Sequence, residues 1–429
     1  MLSKAIRRVV LVTRVNKRNI SCNELSSTTI NIVKSTAPVL AKTGYDITKT
    51  MYNKMLSENA ELRFLFNASH QLEIKNEIAH QPRALACMMY NYAENIDNLK
   101  LLEKAIESVA QKHVSLFVLP EHYTIVGENL LWAIKKVLGE KATIPILQAW
   151  KEAYFHLAGI FIKRENEIRT NKALQIGGWE GWRSFIVARK VKESSVITSF
   201  YLKSKDGKPV LNYKPGQYTA LKLCTEKVKA CRNYTLSKAA GDNKYRISVR
   251  RQEPAEKGAP PGLVLKVSNF LHDHINVNDE VLLGVPSGVF TFNHNHANDE
   301  KPIVLMSAGV GLTPIVAMLD FILKNNVKKS VTVIISNRNK DVEALHDWFV
   351  ASEEKHSNLQ VVFLYDDPLR LSSKTLNASK LDKLLPNKDC HYFFCGPQGY
   401  MKMVCEQLLK WKIPEDQINY EYFGPTRPL

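Results

Sequence analysis

A chain of 429 residues exceeds one ordinary core and argues for two or three domains. With 45% hydrophobic and 24% charged residues and no apolar run long enough to cross a bilayer, it reads as globular, without stable membrane insertion. The formal charge of +17 is spread without a dense aromatic-basic stripe, so no nucleic acid partner is expected, and the seven cysteines form no CxxC pair, which argues against a zinc site or a secreted disulfide framework.

Residues 1–24 carry Lys4, Arg7, Arg8, Arg14, Lys17 and Arg18, with no acid before Glu24. That composition reads as a mitochondrial transit peptide and a matrix location, the alternative being a basic tail on a cytoplasmic protein. From 25 to about 170 apolar residues recur at helical spacing, as in Leu99-Leu102-Ala105-Ile106-Val109 and Leu130-Ile134-Val137-Leu138, and an all-α domain is expected. Gly177-Gly178-Trp179-Glu180-Gly181-Trp182 then marks a hinge over 171–181. Between 182 and 294, short β-branched and aromatic runs at 185–187, 196–201 and 245–249 alternate with turn clusters such as Pro215-Gly216, which predicts a small antiparallel β-barrel. After a polar loop, residues 300–429 alternate buried-strand runs with helical segments near 313–325, 341–354 and 397–411, the pattern of a parallel α/β sheet.

Two strand ends in the α/β region carry ligand-binding chemistry. Gly309-Val310-Gly311-Leu312-Thr313-Pro314 joins a strand to a helix, and its glycines permit a tight turn and close approach to a phosphate. Thr313 is expected to cap that helix and Pro314 to open it. The third glycine of the usual dinucleotide fingerprint is replaced by Pro314, so the signal rests on context. Cys395-Gly396-Pro397 ends a second strand, where ligands of open parallel sheets gather. Tyr422-Phe423-Gly424-Pro425 could cover a flat ring or simply pack.

In the barrel region, Arg232 and Tyr234 alternate on one strand before Thr235 and would share a face toward a ligand. Tyr218 lies beside a turn, and Ser268 and Asn269 offer small polar groups before a helix. In this order before the glycine turn, these stretches resemble the ferredoxin reductase family over 182–429. The resemblance implies FAD in the barrel and NADH or NADPH in the α/β domain. Arg338 could meet a 2′-phosphate, with a solvated surface role as the default, and the choice of nucleotide stays open.

His113 sits on an apolar helix in Ala110-Gln111-Lys112-His113, where a lone histidine is ordinarily a core residue. Its setting argues otherwise. Phe66 lies upstream in Leu65-Phe66-Asn67, Tyr123 follows at the next helix start, and Glu165 lies in Ile162-Lys163-Arg164-Glu165. With Ile125-Val126-Gly127-Glu128 and the glycine hinge, these residues resemble the globin domain of the flavohaemoglobins, and the resemblance covers 25–429. It implies a haem b domain fed by the flavin and nicotinamide modules, and an enzyme that oxidises nitric oxide with dioxygen to nitrate at the expense of NAD(P)H, for nitric oxide detoxification; a monomer is expected. It implies His113 as the proximal iron ligand, with Tyr123 and Glu165 on its other nitrogen. Tyr52 and Gln81 would be the distal polar pair, Leu85 would lie over the iron, Phe66 would wedge the haem, and Lys112 would reach a propionate or the flavin side. Two departures stand out: 72–80 is about five residues longer than the family pattern and 262–269 about three. A haem-based sensor and a plain flavin reductase with the globin as scaffold are the rival readings.

Overall fold

The computed structural model describes residues 24–429 apart from 68–69, 72, 74–77, 227, 253–266, 294–295, 297–298, 367–375, 386 and 425–429. The transit-peptide reading, save Glu24, therefore falls outside the described residues, as do most of both lengthened segments and Pro425.

The N-terminal part is helical as expected: α1 (Ser27–Ser35), α2 (Ala37–Glu58), α3 (His80–Asn95), α4 (Glu103–Leu116), α5 (Pro120–Leu138) and α6 (Ile144–Ala173). The run that reads as one helix from Leu99 is split, with a 3-10 turn over Leu99–Leu102 ahead of α4. Ile47, Met51 and Met55 of α2 recur at helical spacing and are fully buried against α3 and α5. The close packing of α5 on α6 needs Gly127, because a Cβ there would lie 2.4 Å from the Tyr154 ring. Helix α4 ends on Phe117, whose left-handed φ of +56° turns the chain so that the Val118 amide donates to the His113 carbonyl at 2.9 Å.

The glycine segment at 177–181 is a packed corner. A Cβ on Gly178 would lie 1.9 Å from the Lys172 carbonyl, and one on Gly177, whose φ is +77°, would lie 2.4 Å from the Val210 backbone. Close approach, more than swivelling, is what these glycines permit.

Six antiparallel strands follow: β1 (Arg183–Lys192), β2 (Ile197–Ser204), β3 (Tyr218–Cys224), β4 (Lys229–Thr235), β5 (Tyr245–Arg250) and β6 (Glu280–Leu283), in the order β4-β3-β6-β1-β2-β5. The Leu236–Ile247 bridge and the Ser237 amide donating to Arg246 O at 2.8 Å join β4 to β5, so the sheet closes into the expected barrel. A helix, α7 (Val267–His274), packs against it.

The last part is a parallel sheet in the order β11-β10-β7-β8-β9, from β7 (Ile303–Ala308), β8 (Val331–Asn337), β9 (Leu359–Tyr365), β10 (His391–Cys395) and β11 (Ile418–Glu421). Its helices are α8 (Leu312–Lys324), α9 (His346–Lys355), α10 (Ala378–Leu384) and α11 (Gln398–Lys410). Helix α10 escapes the sequence reading because Leu381 is its one buried residue. Among the described residues no helix is long and apolar enough to cross a membrane.

Candidate functional site

Three helices converge on His113. From α5, the Tyr123 hydroxyl lies 2.8 Å from His113 Nδ1, and from α6, Glu165 Oε1 lies at the same distance. Tyr123 also donates to Glu165 Oε1 through a short hydrogen bond, which commits the phenol proton to the carboxylate. Burial first, and then the Glu165 charge, push the Tyr123 phenol far above its ordinary range, so it stays a neutral donor. Nδ1 is thereby the nitrogen of His113 that donates to this pair, which turns Nε2 away from both partners. Nε2 hydrogen-bonds to no described residue, and the side chain remains 29% exposed while Glu165 is fully buried. An imidazole oriented through Nδ1 and open at Nε2 is the donor that haem iron takes.

Tyr52 of α2 and Gln81 of α3 form a second pair. Gln81 Nε2 donates to the Tyr52 oxygen at 3.2 Å, which leaves the Tyr52 proton for another acceptor. Burial pushes the Tyr52 phenol up to about 12. The Phe66 ring meets Tyr52 edge-on at 5.5 Å between centroids. Leu85 follows Gln81 by one helical turn and lies half-buried against the same core.

The helical part grips the barrel beside Arg232, Tyr234 and Thr235, where the sequence leads one to expect a flavin. Arg232 on β4 donates to Phe66 O at 3.5 Å and to Asn67 Oδ1 at 3.2 Å. It has no ion-pair partner among the described residues, and a half-buried guanidinium held by neutral oxygens suits an anion such as a phosphate. Its neighbour Asn233 accepts from the Ser115 hydroxyl at 3.1 Å. Tyr234 lies one position further on the Arg232 face, half-buried against the barrel core, and Thr235 pairs in register with Tyr218. A Cβ on Gly288 would lie 2.8 Å from the Tyr218 ring, so the chain after β6 hugs that aromatic. Ser268 and Asn269 differ from expectation. They lie inside the first turn of α7, and Asn269 bonds the Gln252 backbone at 2.9 and 3.0 Å, so it clamps the chain after β5.

At the α/β turn, Gly309 has φ +54°, and a Cβ on Gly311 would lie 2.1 Å from the Cys395 carbonyl. The two strand-end turns therefore pack on each other; Gly311 has no room for a side chain, and Gly309 holds a left-handed backbone that a side chain would strain. Thr313 is not the cap: α8 starts at Leu312, and the Thr313 hydroxyl donates to Val310 O at 3.1 Å. Pro314 stands third in the helix, not first, which still costs nothing because the first turn has no amide acceptors. Cys395 is fully buried and offers the turn its backbone, ahead of Gly396 and Pro397, which precedes α11. Lys112 Nζ donates to Gly424 O at 3.0 Å, which ties the His113 helix to the Tyr422–Gly424 segment. Phe423 there is 41% exposed, while Tyr422 packs on the core beside it. Next to this tie, burial pushes Glu421 up to about 7 against the pull of Lys112.

The sequence reading missed residues that complete this arrangement. Arg169 Nη2 reaches Glu165 Oε2 at 3.4 Å, and the spacing Glu165-x-x-x-Arg169 on a helix was the available signal. Lys172 donates to Ser287 Oγ at 2.8 Å and Gln111 Oε1 at 3.3 Å, and Asn67, Ser115 and Asn233 complete the contact; their partners are too distant in sequence for any spacing to reveal.

A globin family profile matches residues 49–161, and an oxidoreductase NAD-binding domain profile matches 305–406. A flavohemoprotein from Halalkalibacterium halodurans is 39% identical over 415 residues, covering 94% of this chain and 98% of its own. The chain belongs to the flavohemoprotein family. Another flavohemoprotein, from Rhizobium meliloti, is 40% identical over 411 residues, with 94% and 98% covered. The crystal structure of a flavohemoglobin from Malassezia yamatoensis with bound FAD and heme aligns at a TM-score of 0.77, covers 94% of this chain and all of that one, and at 23% identity shows a common fold. A flavohemoprotein architecture of helical globin, antiparallel barrel and parallel α/β sheet is thus the setting of all the residues above.

Proposed function

We propose that this flavohemoprotein is a nitric oxide dioxygenase that holds haem b on His113, FAD between β3, β4 and α7, and NADH or NADPH at the β7 and β10 turns. The overall reaction consumes one NAD(P)H for two nitric oxide and two dioxygen and yields two nitrate. When bound, the haem supplies dioxygen binding and redox chemistry, and the flavin turns a hydride into single electrons.

The chain's own residues do the rest. His113 donates from Nδ1 to Glu165, and this makes Nε2 a more basic ligand. Tyr52, kept protonated by burial and turned by Gln81, presents one O–H toward a ligand on the distal side. Leu85 and Phe66 exclude water from that side. Arg232 carries phosphate charge, and Tyr218 and Tyr234 supply aromatic faces to a flat ring. Gly309 and Gly311 admit a pyrophosphate to the start of α8. Lys112, tied to Gly424, keeps the His113 helix against the nicotinamide segment.

The domain boundaries we propose are a transit segment 1–24, a globin domain 25–170, a corner 171–181, a barrel 182–294 and an α/β domain 300–429. Residues 1–24 are read as the address for the mitochondrial matrix, and the protein is read as a monomer.

The observation that carries this reading is the His113 imidazole locked through Nδ1 by Tyr123 and Glu165 with Nε2 open. The test is nitric oxide consumption by the purified protein in air with NAD(P)H. Nitrate as product, lost in His113→Ala while NAD(P)H still reduces ferricyanide, is the expected result. Nitric oxide uptake unaltered in His113→Ala would refute it.

A further inference from the structure

Glu165 has two oxygens with different tasks. Oε1 faces His113 and Tyr123, and Oε2 faces the guanidinium of Arg169 at 3.4 Å. Arg169 is 8% exposed and Glu165 fully buried, so the charge pair lies in the interior. Arg169 has a second hold. Its Nη1 donates to Val118 O at 2.7 Å, and the Val118 amide donates to the His113 carbonyl. One side chain therefore grips both the carboxylate that receives the His113 proton and the turn that ends the His113 helix.

We propose that Arg169 is a positioning residue that limits how much negative charge Glu165 lends to His113, and so moderates electron release from the imidazole to the iron it binds. A cation on Oε2 draws electron density from the carboxylate and weakens Oε1 as an acceptor. A neutral residue at 169 would leave Glu165 an unpaired buried anion, a stronger acceptor in a more costly environment. The pair thus couples the stability of the domain to the electronic character of its histidine. The inference rests on His113 being the haem ligand.

The test uses the full-length holoprotein and reads the ferrous iron–histidine stretching frequency and the ferric/ferrous midpoint potential. Arg169→Gln keeps an amide donor for Val118 and removes the charge. It should raise the frequency and lower the potential, and Arg169→Lys should stay near the wild type. Glu165→Gln should lower the frequency, and the double variant Glu165→Gln/Arg169→Gln should match it, because Arg169 then has no carboxylate to act through. In the same holoproteins, Arg169→Gln should lower the unfolding midpoint and the double variant should recover it. A wild-type frequency in Arg169→Gln, or a difference between Glu165→Gln and the double variant, overturns the proposal. That second comparison decides alone if Arg169→Gln does not fold. A wild type that binds haem through a residue other than His113, or binds none, overturns the reading of the site and this inference together.

Discussion

Tyr123 and Glu165 reach His113 from separate helices and are joined to each other, so the imidazole has one orientation and one tautomer. This arrangement was legible in the sequence only through family resemblance, since a histidine on an apolar helix is by itself an ordinary core residue. Its charge partner Arg169 was not read, because an ion pair four residues apart on a helix is usually a solvated one. Residue-scale predictions follow from geometry. Tyr52→Phe removes a protonated donor whose hydrogen bond is worth about 1 kcal/mol, so dioxygen release should quicken roughly fivefold in a stopped-flow displacement measurement. An unaltered release rate would exclude Tyr52 as the distal donor. His113→Ala should purify without a Soret band and retain its flavin absorbance, which one spectrum decides.

The α8 start and the α6 end show how elements set the site. Periodicity located β7, β8, β9 and β10 and three of the four α/β helices, but it misplaced the cap of α8 by treating Thr313 as outside the helix. The helix begins earlier because Gly311 lies in the helical region and needs no side-chain cap. Gly311→Ala would drive a Cβ into the Cys395 carbonyl, at a cost of about 1–3 kcal/mol. A raised KM for NAD(P)H with an intact haem spectrum is the expected outcome, and an unchanged KM would remove the turn from the nucleotide site. At the end of α6, burial holds Lys172 down to about 7, with Glu107 opposing. The unfolded chain binds the extra proton between about 7 and 10.5, so this group's contribution to stability is present above the upper value and lost as pH falls through the lower. Relative to Lys172→Met, the wild type should therefore gain stability as pH rises across that window, measured by denaturant unfolding at several pH values. Parallel curves for the two proteins would show that Lys172 is solvated.

The whole molecule is organised by the seam between the helical part and the barrel. Its three-part architecture was visible in the change from helical to strand to mixed periodicity, whereas the seam was not, because Phe66, Asn67, Ser115, Arg232 and Asn233 meet only through the tertiary fold. Gly284 marks how tight it is: a Cβ there would lie 2.3 Å from the Ser115 carbonyl, two residues beyond His113. Gly284→Ala should slow reduction of the haem by NAD(P)H and leave ferricyanide reduction untouched, and equal losses in both would point to a misfolded barrel instead. The proposed activity needs a circuit within one chain, from nucleotide to flavin to an iron held by His113. Rapid mixing of the NAD(P)H-reduced, oxygenated protein with nitric oxide tests it most directly. Stoichiometric nitrate, with oxidation of the haem and its re-reduction in the same shot, is the expected result; nitric oxide that persists, or leaves as another product, would rule out dioxygenase activity.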